Sequence, residues 1–269
     1  MSQSTPFEEG PRRLALVTGA STGIGKAFAE RLAAEAYDLV LVARSTDRLE
    51  ALARQLGESR QVQADVLRAD LTNPGDLRSV EERIAKDRPL DLLVNNAGFG
   101  TVGRFAELEP DREEEEIRLN VIALVRLTHA ALGRMVERGR GAIINVSSMA
   151  GLAPTPYYAT YGGTKAFVCS FTESLHDELR GTGVRVQVLC PGFTRTEFQE
   201  RAGVDASTIP SFAWQEASEV VDASLAALGR GTVVCVPGAA NRAVAGVTGL
   251  LPRRWASRFA AAIGKRALD

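Results

Sequence analysis

Cysteine and histidine are scarce in this 269-residue chain, with three of the first and two of the second. Cys169, Cys190 and Cys235 are far apart, odd in number and set among apolar neighbours. That pattern argues against a disulfide framework or a thiolate metal site and predicts buried thiols in a reducing compartment. His129 and His176 both fall within helical patterns and read as structural or surface residues. No cluster of metal ligands stands out, so no metal is expected. Long apolar runs are also missing: none reaches the ~18 residues that a membrane span needs. The first ten residues, Met1 to Gly10, are polar and acidic and lack the basic region and apolar stretch of a secretory signal. With the thiols, this predicts a cytoplasmic protein. An excess of one charge is lacking as well. A net charge of −1 gives no reason to expect nucleic acid as a partner.

What is present is an ordinary globular composition, 45% hydrophobic and 24% charged. A chain this long can bury roughly 75% of its unfolded surface. Short apolar runs read as strands: Leu14 to Thr18, Leu39 to Ala43, Val62 to Ala69, Leu90 to Val94, Ala142 to Val146, Val184 to Leu189 and Thr232 to Val236. Several are continuous Val/Ile/Leu runs, as expected for strands buried on both faces. Amphipathic stretches alternate with them, at Lys26 to Glu35, Asp47 to Leu56, Gly75 to Lys86 and Glu113 to Glu137. The alternation predicts an α/β fold with a doubly wound, seven-stranded parallel sheet and helices on both faces. Seven strands leave no room for a second domain, so residues 1–269 are read as one. Within them, residues 1–11 read as a frayed leader, 194–213 as a substrate lid and 238–269 as a C-terminal extension. The acidic run Glu113 to Glu116 reads as a solvated helix start.

The first strand runs straight into Thr18-Gly19-Ala20-Ser21-Thr22-Gly23-Ile24-Gly25 and then a helix. Glycines let the backbone turn tightly and approach a pyrophosphate, and the helix start offers free N–H groups to it. No Gly-Lys-Ser/Thr follows, so this is not the mononucleotide loop. The second strand ends in Ala43-Arg44-Ser45, without the carboxylate that favours NAD. Arg44 suits a 2′-phosphate instead, which predicts NADP(H) with NAD(H) still admissible. The alternative is a surface arginine opening the next helix. Thr22 adds no second positive charge.

Tyr161 and Lys165 lie four residues apart, which puts both on one helix face. An ammonium close to a phenol favours the phenolate and lowers its pKa from about 10, towards the range of a proton donor in carbonyl chemistry. Tyr157 and Tyr158 are rivals, but only Tyr161 has a lysine four residues on, and Tyr158 reads as a pocket wall. Gly162 and Gly163 in the same helix cost roughly 1 kcal/mol each against alanine. Close approach of a neighbour would explain them.

In order, Thr18 to Gly25, Asp70-Leu71, Asn95-Asn96-Ala97-Gly98, Asn120, Ser147-Ser148, Tyr161 with Lys165, and Pro191-Gly192-Phe193-Thr194-Arg195-Thr196 make a set that resembles the short-chain dehydrogenase/reductase family over roughly residues 13–237. The resemblance implies a Rossmann fold and nicotinamide-dependent carbonyl/alcohol chemistry. It implies that Asp70 bonds the adenine amino group and that Asn95 to Gly98 steadies the sheet and lies along the adenosine ribose. Pro191 to Thr196 would hold the nicotinamide amide and diphosphate, and the backbone carbonyl of Asn120 a relay water. Of the two serines, Ser148 precedes Tyr161 by the family's usual thirteen residues and is chosen for the substrate-oxygen contact.

The implied mechanism has NADPH delivering hydride to a carbonyl carbon. Tyr161 protonates the oxygen, Ser148 steadies the developing charge, and Lys165 tunes the tyrosine and holds the nicotinamide ribose. Phe193, Phe198, Ile209, Phe212 and Trp214 around the lid, with Leu152 and Pro154 to Tyr158, suggest an apolar substrate or simply lid packing. The basic, apolar tail from Gly238 is read as a cover for the site or a subunit interface, or else as an amphipathic membrane contact. A homodimer or homotetramer is expected. The rival classes are a membrane-surface 3-oxoacyl or steroid-type reductase and a non-catalytic NADP sensor or scaffold.

Overall fold

The computed structural model describes residues 12–86, 88–202 and 211–250. Seven strands form one parallel sheet: β1 Leu14–Thr18, β2 Asp38–Ala43, β3 Ala64–Arg68, β4 Leu92–Asn95, β5 Gly141–Val146, β6 Val184–Leu189 and β7 Val234–Cys235. Their order across the sheet is β3-β2-β1-β4-β5-β6-β7. The chain therefore reverses direction across the sheet between β1 and β4, where doubly wound folds open a crevice beyond the strand ends.

Alternate residues of each strand face opposite helix layers. In β1, Ala15 and Val17 join one core with Phe28 and Leu32 of helix α1 (Gly23–Ala34), Leu49 of α2 (Thr46–Arg60) and Val220 of α8 (Ala217–Gly229). Leu14 and Leu16 join the other, with Val80 of α3 (Pro74–Lys86), Leu127 and Met135 of α5 (Leu124–Glu137) and Leu175 of α6 (Ala159–Glu178). Each fully buried Leu or Phe of this kind stabilises the fold by about 1.5–3 kcal/mol. All three cysteines are free and buried, as expected.

Several element boundaries differ from their sequence reading, those of β3, β7 and the Glu113 to Glu137 helix among them. β3 begins at Ala64, not Val62, because α2 ends on Gln61 in the left-handed region (φ 56°) and the chain is still turning there. The last strand shrinks to two residues. The helix expected over Glu113 to Glu137 starts earlier, with Pro110 opening α4 (Pro110–Ile117), and passes through a π-helical turn, Arg118–Ala123, before α5. Such turns often mark functional sites. By length and composition the continuous stretch Pro110–Glu137 could cross a membrane. Here Leu124, Leu127, Ala131 and Met135 spend its apolar face on the protein core.

The acidic run is also corrected. Glu114 and Glu115 reach solvent, but Glu113 is 7% exposed and Glu116 is fully buried. Helical periodicity turns two of the four acids inward. Of the lid expected over 194–213, residues 203–210 lie outside the described residues, as do 1–11 and 251–269. Gly203, Ile209 and Pro210, and every tail cation beyond Arg242, fall there. The remainder of the lid holds the short helix α7 (Phe198–Arg201) and a single turn, Ser211–Ala213.

Candidate active site

A cleft of about 1470 Å³ opens beyond the C-terminal ends of the strands. Its near end is the glycine turn. Gly19 has φ 66°, a conformation that suits glycine, and an added Cβ on Gly25 would stand 2.3 Å from the Gly19 carbonyl oxygen. The turn is thus folded so tightly that α1 begins at Gly23 with its first N–H groups at the cleft. Thr196 closes over it, its Cγ2 2.9 Å from an ideal Cβ on Gly23. Gly19, Ser21, Thr22, Gly23, Ile24 and Thr196 all line the cleft, while Gly25 lies beneath.

Arg44 leaves the end of β2 and lines the same end. Its guanidinium is 3.9 Å from the Asp70 carboxylate. Asp70 is fixed by Thr72, whose N–H (3.0 Å) and hydroxyl (2.7 Å) both donate to Oδ1. Partial burial pushes the Asp70 carboxyl up, but the Thr72 bonds, Arg44 and Arg68 together bring it below its ordinary value. One turn along α2, Arg48 also lines the cleft, held by both carboxylate oxygens of Glu197 at 3.0 and 2.9 Å. Sequence reasoning found no second cation at this end because it searched only the glycine turn. The available signal was a second basic residue, Arg48, in the first turn of the helix that follows Arg44.

Along the floor, the Asn96 side chain donates to the Thr18 and Gly19 carbonyls at 2.9 and 3.3 Å, fastening β4 to the glycine turn. Asn95 turns inward, and its amide donates to Thr128 (3.0 Å) and to Asn145 of β5 (2.9 Å). Asn145 in turn donates to Thr172 of α6 (3.0 Å). Asn96, Ala97, Gly98 and Leu71 line the cleft.

Ser148, Tyr161 and Lys165 meet at the middle of the cleft. Ser148 follows β5, and its hydroxyl accepts the Ala150 N–H at 3.1 Å while lying within hydrogen-bonding reach of the Tyr161 phenol. Ser147 points away: its hydroxyl donates to the Lys165 carbonyl at 2.8 Å. Tyr161 and Lys165 share a face of α6, as their spacing requires. Lys165 Nζ donates to the Val146 carbonyl at 2.9 Å and stands 5.7 Å from the Tyr161 ring centre. Burial pushes the Tyr161 phenol up to about 12, against the Ser148 hydrogen bond. Burial likewise brings Lys165 down to about 8, against Glu116, Cys169 and Cys190. The expectation that Lys165 lowers the phenol is corrected here: the ammonium is drawn to the Val146 carbonyl, and the groups that act on the phenol, burial first, do not include it.

Asn120 sits in the π-helical turn, 1% exposed, behind the cleft wall. Its side chain accepts the Phe99 N–H (3.2 Å) and donates to the Phe99 carbonyl (2.8 Å) and to Thr164 (3.1 Å). Gly162 is explained by the adjoining loop, since an added Cβ would stand 2.0 Å from Thr155 Oγ1. Nothing in the structure explains Gly163.

Pro191, Gly192, Phe193 and Thr194 line the wall facing the glycine turn. The Pro191 carbonyl accepts the Met149 N–H at 2.9 Å, and the Thr194 hydroxyl donates to the Gly192 carbonyl at 3.1 Å. Tyr158 is a wall, as read from the sequence, with Phe99, Leu119, Phe198 and Ala202 around it. Phe198 rests 5.6 Å from the Tyr161 ring and Phe193 6.0 Å from Trp214. The tail enters here through α9 (Ala239–Leu250): Asn241 donates to Gln215 at 2.7 Å, and Val244 lines the rim.

A doubly wound parallel sheet with a glycine turn at its switch point defines a nucleotide-binding α/β protein. The family model described as short chain dehydrogenase matches residues 13–206. The chain belongs to the short-chain dehydrogenase/reductase family. Among its relatives is hydroxysteroid dehydrogenase-like protein 1 of Gallus gallus, 34% identical over 81% of this chain and 66% of that one. The Homo sapiens protein named inactive hydroxysteroid dehydrogenase-like protein 1 is 33% identical over 68% of this chain and 56% of its own. The chain therefore spans less than two thirds of these two curated relatives. Among solved structures, a short-chain dehydrogenase from Sphingobium yanoikuyae in complex with NADPH is 41% identical, with a TM-score of 0.81 over 89% of this chain and 96% of that one.

Proposed function

We propose that this chain is an NADP(H)-dependent oxidoreductase that interconverts a carbonyl compound and an alcohol, with Tyr161 as the acid/base. The observation that carries this reading is the convergence of Ser148, Tyr161 and Lys165 on one cleft whose other end holds a glycine turn and two arginines. A dinucleotide fits the residues present. The turn leaves no room for a Cβ where Gly25 packs, the start of α1 offers N–H groups, and Arg44 and Arg48 suit a 2′-phosphate. Gly19 to Ile24 would hold the pyrophosphate, Asp70 and Leu71 the adenine, Asn96 to Gly98 the ribose, and Pro191 to Thr196 with Lys165 the nicotinamide half. Bound there, the cofactor supplies the hydride.

The chain's own residues handle the oxygen. Burial keeps Tyr161 protonated at neutral pH, the form that donates to a carbonyl oxygen during reduction. Ser148, within reach of that phenol, donates to the same oxygen as charge develops. Lys165 brings a cation beneath both groups, and Asn120 fixes the loop before it by its bonds to Phe99. The substrate wall is largely aromatic and aliphatic, which favours an apolar ketone, acyl or lipid-like compound, in keeping with the hydroxysteroid in the relatives' names. A homodimer or homotetramer is the expected assembly. A reducing, cytoplasmic setting suits the three free thiols.

The test is cofactor oxidation over a panel of ketones, aldehydes and acyl thioesters, with NADPH and NADH in parallel. Turnover faster with NADPH on apolar ketones is expected. NADPH binding without turnover on any carbonyl would instead favour a sensor, the reading that the relative named inactive keeps open.

A further inference from the structure

Two of the four acids in Glu113 to Glu116 are sealed inside the protein beside the catalytic helix. A buried carboxylate needs partners, because leaving one unpaired costs several kcal/mol. Glu116 Oε2 has two, the Thr101 N–H at 2.9 Å and the Thr101 hydroxyl at 2.8 Å. Its Oε1 and both oxygens of Glu113 are buried without a hydrogen-bond partner among the described residues. One helical turn on, Asn120 holds Phe99 at both its N–H and its carbonyl. The two side chains thus fasten residues 99–101 from the same helical run. Between them lies Gly100, where an added Cβ would stand 2.7 Å from the Tyr161 ring. The segment that Glu116 holds is the surface against which Tyr161 packs.

We propose that Glu116 is a positioning residue for the Tyr161–Lys165 pair: it fastens the 99–101 segment against the tyrosine ring and supplies the buried negative charge that keeps Lys165 a cation. This rests on the reading of Tyr161 and Lys165 as the reacting pair. The charged and titratable groups facing Lys165 are Glu116 from α4, Tyr161 and Cys169 on its own helix, and Cys190 after β6. Those facing Glu116 are Glu113 on its own helix and Lys165 and Tyr161 from α6, with the polar Thr101 between. Burial, and Glu113 beside it, raise Glu116 to about 7 against the Thr101 bonds. Burial lowers Lys165 to about 8. Wherever it is ionised, the carboxylate opposes the loss of the lysine proton. Glu113 makes this charge harder to hold, so the pair sets the pH at which the counter-charge is complete.

The experiment uses the full chain carrying ¹³C-labelled lysine. The sequence has four lysines, Lys26, Lys86, Lys165 and Lys265, so the Lys165 signal is identified by its loss in Lys165→Arg. Glu116→Gln keeps an oxygen for both Thr101 donors and removes the charge. In this variant Lys165 should titrate lower than in the wild type by about half a pH unit or more, roughly a threefold change in proton affinity. The alkaline limb of carbonyl reduction should move the same way. Thr101→Val loosens the clamp and, by removing one of the two bonds that favour the ionised carboxylate, weakens the charge only in part, so it should lower kcat with Lys165 shifting less than in Glu116→Gln. Identical Lys165 titrations in wild type and Glu116→Gln overturn the proposal, as does an equal shift in Thr101→Val. A shifted lysine in a protein that reduces no carbonyl supports the charge role and sinks the functional reading alone.

Discussion

Gly100 lies directly under the Tyr161 ring, so close that a methyl group there would stand 2.7 Å from Cδ2 and 3.0 Å from Cγ. The phenol's position is set from below by a backbone. Gly100→Ala must move the ring or the segment, and displacement of a catalytic group by about 1 Å can cost on the order of 10²-fold in rate. We expect kcat to fall at least tenfold, with the Kd for NADPH, measured by fluorescence titration, changed little. An unaltered kcat would show that the segment yields instead.

Tyr161→Phe removes the hydroxyl and keeps the ring. General acid catalysis is worth about 10²–10⁴-fold, and turnover on any responsive ketone should drop by that much while NADPH still binds. Tyr158→Phe is the control, since Tyr158 only lines the wall, and it should retain most of its kcat.

Arg44 and Arg48 share one edge of the cleft; Arg48 is held by Glu197 at 2.9 Å, whereas Arg44 stands at 3.9 Å from Asp70. Hydrogen bonds to charged groups contribute about 1.5–3 kcal/mol, so Arg44→Ala should raise KM for NADPH roughly 10–100-fold and leave KM for NADH within a few-fold. Arg48→Ala should follow the same pattern more weakly. Equal losses with both cofactors would remove the 2′-phosphate assignment.

Glu116 also makes stability depend on pH. Its folded pKa, about 7, lies above its ordinary 4.5, so between those values the native state holds a proton that the unfolded chain has lost. Stability from this group falls as pH rises through that window. At about 1.4 kcal/mol per tenfold change in proton affinity, roughly 3 kcal/mol is the upper bound. Chemical denaturation at pH 5 and pH 8 should show Glu116→Gln losing less stability between the two than the wild type does.

Much of this was legible in the sequence because the informative signals are local. β1 was bounded to the residue by a continuous apolar run, and β6 by valines alternating with Arg185 and Gln187. Ser148 was separated from Ser147 by its interval to Tyr161, and the structure turns Ser147 towards the Lys165 carbonyl. What escaped depends on contacts distant in sequence. Four consecutive glutamates look solvated until Thr101, fifteen residues upstream, is folded against one of them. Spacing puts Lys165 on the face of Tyr161 but does not show that the Val146 carbonyl claims its ammonium. Arg48 became a cleft residue only once α2 was placed beside the lid and Glu197.

The amide chain from Asn95 through Asn145 to Thr172 has a consequence for how the cleft assembles. Aliphatic neighbours on β4 and β5 would tolerate a one-residue slip of one strand past the other almost as well as the native match. The two asparagines do not, because any other alignment strands their amides in a dry interior. Gly98 follows the first strand and Ser148 the second, so this polar pin acts as a locating key that brings floor and wall to one relative height whenever the chain folds.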